Sequence, residues 1–232
     1  MPQPPLKVCR LGRVPYTQAW ELMRGLATAK ADTELPDFLL LLEHAPVITL
    51  GRRGTESDLK VAPEALAEKG VELFRVERGG LATYHGPGQL VAYPILDLAR
   101  LGLGIEELVT RLEQVVIDLL ADHGLDAGRK KGQRGVWMGQ AKIASVGLAV
   151  KKNITMHGVA VNYAADTSGF DLITPCGLTG VTMTSVARQS GKEPDYQAMV
   201  QGFEGHFAKV MSLSLDSVDP RELNDLALAR PE

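Results

Sequence analysis

The stretch GVWMGQAKIASVGLAVKKNITMHGVAVNYA, residues 135–164, alternates apolar and polar side chains along much of its length. Neighbouring side chains on a strand point to opposite faces of a sheet, so this alternation predicts successive antiparallel strands. Strand following strand sets the class. Immediately upstream, GIEELVTRLEQVVIDLLADHG (104–124) is the clearest helix. Its Ile105, Leu108, Val109, Leu112, Val115, Val116, Leu119 and Leu120 keep the i, i+3, i+4, i+7 spacing of one apolar face, and Gly124 is a natural C-cap. Further back, ERGGLATYHGPGQLVAYPILDL (77–98) is a tight glycine loop feeding a strand, preceded by a short helix at 63–69 and the strand VELFRV. DFLLLLEH (37–44) and PVITLG (46–51) read as strands, the second running into GRRG. Residues 6–11 read as a strand, and the segment after Pro15 (16–31) as a helix with Trp20, Met23 and Leu26 toward one side. Downstream, DYQAMVQGFEGHFAKVMSL (195–213) is a closing helix.

Helices inserted singly among strands, rather than in strict βα alternation, predict an α+β fold: a mixed, largely antiparallel sheet with flanking helices. At 232 residues the chain is expected to form one domain over 1–232, with its core at about 6–213 and a peripheral tail at 214–232. Hydrophobic content of 45% and charged content of 23% are those of a globular protein, and a net charge of −3 argues against a nucleic-acid partner. The two cysteines, Cys9 and Cys176, form no zinc spacing, and both are expected to be reduced. The five histidines are scattered and no HExxH occurs, so no metal site is expected. The N-terminal residues lack the apolar core of a signal peptide, and no apolar run approaches the roughly 18 residues of a membrane span. A cytoplasmic protein without membrane attachment is the expectation.

Three places carry candidate chemistry. Cys176 sits between Pro175 and Gly177 in DLITPCGLTG (171–180), a poor helix or strand interior, so its thiol is expected on an accessible turn. It reads either as a structural thiol near a loop or as a nucleophile. RGGLATYHGPGQ (78–89) is the densest glycine loop; its backbone can approach a ligand closely, with Thr83, Tyr84 and His85 interleaved. Its spacing is neither a dinucleotide fingerprint nor a P-loop. Lys142, in QAKIASVG, is either a desolvated base facing inward or a lysine on the solvent face of an alternating strand. His85 and His157 are each open to a core or a surface reading.

Taken together, RGGLATYHGPGQLVAYPILDL, GVWMGQAKIASVGLAV, HGVAVNY and TPCGLTGVTMTSV resemble the lipoyl(octanoyl) transferases over roughly residues 6–213. The resemblance implies the fold of the biotin and lipoate protein ligase catalytic domain and no cofactor. It implies transfer of an octanoyl group from octanoyl-acyl carrier protein to a lysine of lipoyl domains, those of 2-oxoacid dehydrogenase E2 subunits and the glycine cleavage H protein. It makes Cys176 the nucleophile that takes octanoyl as a thioester, and Lys142 the lysine that activates it. Arg78, Gly79, Gly80, Leu81, Ala82, Thr83, Tyr84 and His85, with Ser145, Val146, Gly147, Gly158, Val159 and Ala160, match segments lining the acyl site. Backbone amides at Gly79–Gly80, at Gly147 or beside Cys176 are candidate oxyanion donors. Arg129, Lys130, Lys131 and Arg134, or Arg52 and Arg53, are candidates for a basic patch facing acidic partners, or else a solvated charge run. The alternative is an ATP-dependent lipoate or biotin ligase on the same fold, which has no need of Cys176 as a nucleophile.

Overall fold

The alternating run does form consecutive antiparallel strands, and the rest of the chain assembles around them. The computed structural model describes residues 5–164, 166–174 and 181–228. In chain order the elements are β1 (Leu6–Val14), α1 (Tyr16–Asp32), β2 (Phe38–His44), β3 (Val47–Leu50), α2 (Pro63–Glu68), β4 (Glu72–Arg75), β5 (Ala82–His85) and β6 (Gln89–Ile95). They continue with α3 (Leu98–Leu101), α4 (Ile105–Asp122), β7 (Gly128–Lys130), β8 (Gln133–Met138), β9 (Ala141–Lys151), β10 (Ile154–Asn162) and β11 (Thr182–Met183). The last are α5 (Val186–Ser190), α6 (Tyr196–Met211), β12 (Leu215–Ser217) and α7 (Pro220–Leu228).

The main sheet runs β12-β1-β2-β6-β10-β9-β8-β7, with β11 added against β9, and a second, three-stranded sheet runs β4-β3-β5. Along the path from β2 to β7 every pair is antiparallel, whereas β1 pairs in parallel with both β2 and β12, and β11 pairs in parallel with β9. One face packs under α4 and α6, whose Leu112, Val116, Leu119, Phe203 and Phe207 meet Leu39, Leu90 and Val159 of the strands. The other face packs under α1, where Met23 and Leu26 meet Phe38, Leu40 and Tyr93. Strands β2 and β6 are buried along their whole length because they are covered on both sides. Burying each such Leu or Val contributes about 1.5–3 kcal/mol, so a charge at Leu112 or Leu40 would unfold the chain before it altered any site.

Two sequence expectations need correction. Ile105 carries the helical period but is 48% exposed. It occupies the first turn of α4, and the other seven apolar positions of that face are buried. Residues 214–232 were expected to hang outside the core, yet β12 extends the main sheet through Leu6↔Leu215 to Val8↔Ser217. Beyond it, α7 buries Leu223 against the α1 layer. β12 is three residues long and lies at the sheet's edge, too short to show a period, whereas Leu223, Leu226 and Ala227 of α7 do keep the i, i+3, i+4 spacing of a packed face. Among the described residues no helix is long and apolar enough to cross a membrane.

Candidate active site

The small sheet sits over the α1 face of the main sheet, and a cavity opens between them. Its floor is Val91 and Tyr93 of β6, Ser145, Val146 and Gly147 of β9, and His157, Gly158, Val159 and Ala160 of β10; its roof is Arg78, Gly79, Gly80, Leu81, Ala82, Thr83 and His85. Lys142 closes one end. The space is about 520 Å³, including the part open to solvent. A wider mouth of about 1050 Å³ continues from it, sharing Gly79, Gly80, Leu81, Lys142, Val146 and Gly147, and is rimmed by Arg53, Ile105 and Arg134. Exposure of Ile105 has its place here.

The roof is pinned by hydrogen bonds that the loop's own sequence does not advertise. Arg78 is buried and donates through Nε and Nη2 to Thr49 Oγ1, at 3.1 and 2.8 Å, and through Nη2 to Thr49 O. It thereby ties the loop to β3. The Gly79 amide donates to Leu148 O at 2.8 Å, which stitches the roof to β9. That amide is spent, so Gly79 is not an oxyanion donor. Buried Glu43 accepts from the Gly88 amide and from Tyr163 Oη, both at 2.7 Å, and fixes the glycine turn from below. Tyr84 does not line the cavity: its ring packs edge-on against Phe170, with centroids 5.6 Å apart.

Lys142 faces inward and is 3% exposed. Its ammonium lies 5.4 Å from the centroid of Trp137, a cation–π distance. Its aliphatic stem crosses over Gly135, which has φ 106° and whose amide is held by buried Glu113 at 2.8 Å. A Cβ on Gly135 would come within 2.6 Å of Lys142 Cε, so only glycine leaves room for this lysine. Gly135, Trp137 and Glu113 are spatial neighbours of this site that spacing alone could not reveal, because they come from a different strand or helix.

Cys176 lies outside the described residues. The chain to either side of 175–180 is placed. Thr174 donates its amide to Asp58 O at 2.7 Å, next to the Leu59↔Ile173 bridge. On return, Met183 pairs with Lys142 on β9, and the Thr184 amide donates to Lys142 O at 2.9 Å.

A polar chain crosses the cavity wall. Asn162 Nδ2 donates to Thr184 O, Gln89 Nε2 donates to Asn162 Oδ1, and His85 Nδ1 meets Gln89 Oε1 at 2.6 Å. Since Thr184 O can only accept, each amide is oriented and His85 must carry its proton on Nδ1. Burial first, and the neighbouring His44 second, push the His85 pKa down to about 3. Burial likewise holds His44 near 4; its Nδ1 faces Val14 O and its Nε2 accepts from Tyr93 Oη at 2.8 Å. Both are core histidines and neutral at physiological pH. His157 is also buried, and burial lowers its pKa despite Glu77 nearby.

The charge run at 129–134 is largely occupied: Arg129 pairs with Glu113, Arg134 with Glu106, and Lys130 bonds Gln140. Arg52 and Arg53 are exposed, and Arg53 stands at the mouth.

The architecture is that of lipoate protein ligases. A lipoate protein ligase of T. acidophilum, solved with bound lipoic acid, superposes with a TM-score of 0.73 at 15% identity, covering 97% of this chain and 93% of that one. The model of the lipoyl protein ligase A/B catalytic domain matches residues 15–208, and the chain belongs to that family. Among curated relatives, the octanoyltransferase of Caldicellulosiruptor saccharolyticus is 41% identical over 229 residues, covering 98% of this chain and 97% of its own length. That of Syntrophobacter fumaroxidans is 45% identical over 196 residues, covering 84% and 83%.

Proposed function

We propose that this chain is an octanoyltransferase acting through a cysteine thioester, with the whole chain working as one catalytic unit. The observation that carries the reading is the cavity itself. It gathers Lys142, five successive roof residues from Arg78 to Ala82 with Thr83 and His85, and the paired segments Ser145–Gly147 and Gly158–Ala160 on one face of the sheet. Near full-length similarity to octanoyltransferases supports the acyl group and the reaction type.

The Cys176 thiolate attacks the carbonyl carbon of the carrier's octanoyl thioester; a new C–S bond forms, the old one breaks, and the carrier thiol leaves with a proton from Lys142. A lysine amine of the lipoyl domain then attacks the acyl-enzyme. An amide forms, the Cys176 sulfur is released, and the amine's surplus proton returns to Lys142. A thioester keeps the acyl group activated, so no nucleotide is consumed. Apolar floor residues Val91 and Ala160 take the chain, at about 0.8 kcal/mol per buried methylene. The donor is octanoyl-acyl carrier protein, and the acceptors are lipoyl domains of 2-oxoacid dehydrogenase E2 subunits and the glycine cleavage H protein. Arg53 at the mouth is placed to meet their acidic surfaces, in a cytoplasmic setting where Cys176 stays reduced.

Mixing with octanoyl carrier protein and no nucleotide is expected to add one octanoyl group at Cys176, read by intact-protein mass spectrometry, and apo lipoyl domain is expected to remove it. Transfer that requires ATP, or an adduct on Cys9, would overturn the reading. Cys9 is buried with its pKa pushed up to about 11, chiefly by desolvation, and Cys9→Ser should leave turnover intact.

A further inference from the structure

Two cavities lie on the α1 face of the main sheet, and a thin wall divides them. From Lys142, β9 leads past Ser145 to Gly147, which is paired with Gly158 of β10. That row still belongs to the first cavity. The next row on the same face is Ala149 with Met156, and Met156 lines a second cleft of about 1100 Å³, including the part open to solvent, whose other side is Trp20, Ala27, Thr28 and Ala31 of α1. Glu77 borders the second cleft and His157 the first.

These two side chains form the wall. His157 Nε2 faces Glu77 Oε1 at 3.8 Å, too far for a hydrogen bond, and it has no other partner among the described residues. Trp20 Nε1 holds Glu77 by donating to its two carboxylate oxygens at 3.1 and 3.3 Å. His157 sits at φ 60°, a left-handed conformation uncommon for a non-glycine residue, with its amide directed at Met23 Sδ. Burial pushes the Glu77 carboxyl up, but the His157 ring, its own backbone amide and Trp20 outweigh this and hold it down at about 2, so the wall carries a fixed negative charge.

We propose that Glu77 and His157 form the stop that sets acyl chain length. The proposal deepens the octanoyl-transfer reading and rests on it. With the carbonyl at the Lys142 end, the methyl end runs along β9 toward this wall. A longer chain must push against a carboxylate and strip its remaining water, which an apolar end cannot replace. One row on an antiparallel strand spans about 6.8 Å. An extended acyl chain advances about 1.25 Å per carbon, from a bond of about 1.5 Å at a near-tetrahedral angle. Four to six carbons beyond octanoyl therefore carry the chain past the wall into the second cleft, once the wall is open.

The test is single-turnover acylation from carrier-protein thioesters of 8, 10, 12 and 14 carbons, read by intact mass. Glu77→Ala is expected to raise the rate with 14 carbons relative to 8 by at least about tenfold, since each newly buried methylene is worth about fourfold. Glu77→Gln keeps the bulk and one Trp20 acceptor but removes the charge, so it should move the ratio in the same direction as Glu77→Ala and by less. Thr28→Trp fills the second cleft from its exposed side; alone it should leave octanoyl acylation unchanged, and combined with Glu77→Ala it should cancel the gain. If Glu77→Ala does not fold, Trp20→Phe withdraws the donor that holds the wall and should move the ratio in the same direction. An unchanged ratio in a folded Glu77→Ala or Trp20→Phe protein that still takes octanoyl overturns the length stop alone, as does a gain that survives Thr28→Trp. A native protein acylated by no chain length overturns the transfer reading and the stop with it.

Discussion

Replacing Gly135 with alanine tests whether the inward lysine is held in place by a missing side chain. The new Cβ would stand 2.6 Å from Lys142 Cε and 3.2 Å from Nζ, and closer still to Ala144 O. The Ala144 contact is with backbone and yields little; the lysine stem is flexible and must give way by about 1 Å. A displacement of that size in a catalytic group costs on the order of 10²-fold in rate. Alanine at φ 106° is strained as well, by about 1–2 kcal/mol, which for a chain of this length lowers Tm by about 2–8 °C. The two effects separate in a double-mutant cycle. Single-turnover octanoyl transfer and the pH profile of Cys176 alkylation by iodoacetamide are measured for Gly135→Ala, Lys142→Ala and the double variant, beside their melting curves. If Gly135 acts through Lys142, the double variant transfers no more slowly than Lys142→Ala, although its melting temperature falls by the full amount. A further hundredfold loss on the Lys142→Ala background would show that Gly135 serves the fold and not the lysine, and the argument from close approach would be wrong.

Lys142→Arg keeps a positive charge but cannot cycle a proton; Cys176 alkylation should stay fairly fast while multiple-turnover transfer falls by about 10²-fold, and near-normal turnover would leave Lys142 as an electrostatic neighbour only. His44, whose folded pKa of about 4 lies below the unfolded value of about 6.5, contributes stability that is fully present above pH 6.5 and is lost as pH falls toward 4. The loss approaches about 3 kcal/mol, so His44→Gln should flatten the urea midpoint over that pH window, and an equally steep fall in the variant would reject the assignment. Asn162→Leu strands the Thr184 carbonyl and the Gln89 amide, at about 1–3 kcal/mol for each buried group left unpaired. It should speed hydrogen exchange at the Thr184 amide, and full protection there would mean that the polar chain does not hold the return of the Cys176 segment.

Much of the scaffold was legible because its signals are periodic and local. The alternation in 141–151 and 154–162 marks strands, though β10 is buried on both faces, and the apolar stripe of α4 corresponds to a buried face that any long-range arrangement would have to cover. What escaped depends on partners far away in sequence. Ile105 obeys the helical period yet is exposed, since the period says which face a residue shares and not how far the neighbouring layer extends. Gly135 looks like any strand glycine until Lys142 is laid across it. Lys142 itself alternates as a solvent-facing residue would, and only the Trp137 ring and the small sheet above turn that position inward. His85 and His157 were open to either reading because burial of a histidine depends on the partners its ring finds, here Gln89 for one, while Nε2 of the other meets no hydrogen-bond partner among the described residues. The motifs did name most of the cavity lining in advance, but through likeness among sequences; Tyr84, which sits within such a motif, turns away to Phe170.

The division of labour between the two sheets explains why one cysteine and one lysine can be set far apart in sequence and still be governed together. Lys142, Ser145–Gly147 and Gly158–Ala160 ride on the main sheet, whose strands are locked by continuous pairing from β2 to β8. The roof Arg78–His85 rides on the small sheet, held to the main one by the Gly79 to Leu148 bond and the Glu43 clamp on Gly88. The chain enters residues 175–180 from the small-sheet side, where Ile173 pairs with Leu59, and re-emerges on the main sheet, where Met183 pairs with Lys142. The entry end is thus fixed to the small-sheet core, and the return end to β9 by backbone pairing and to that same core through the Met183 side chain. Any change that shifts the docking of the small sheet moves the roof and the entry of the cysteine segment together, while Lys142 stays with β9. Substitution of Glu43, which fastens one sheet to the other, should therefore impair acyl transfer and the pH profile of thiol reactivity in concert, whereas losses on the helical face of the main sheet, such as at Leu112, should appear in the melting curve alone.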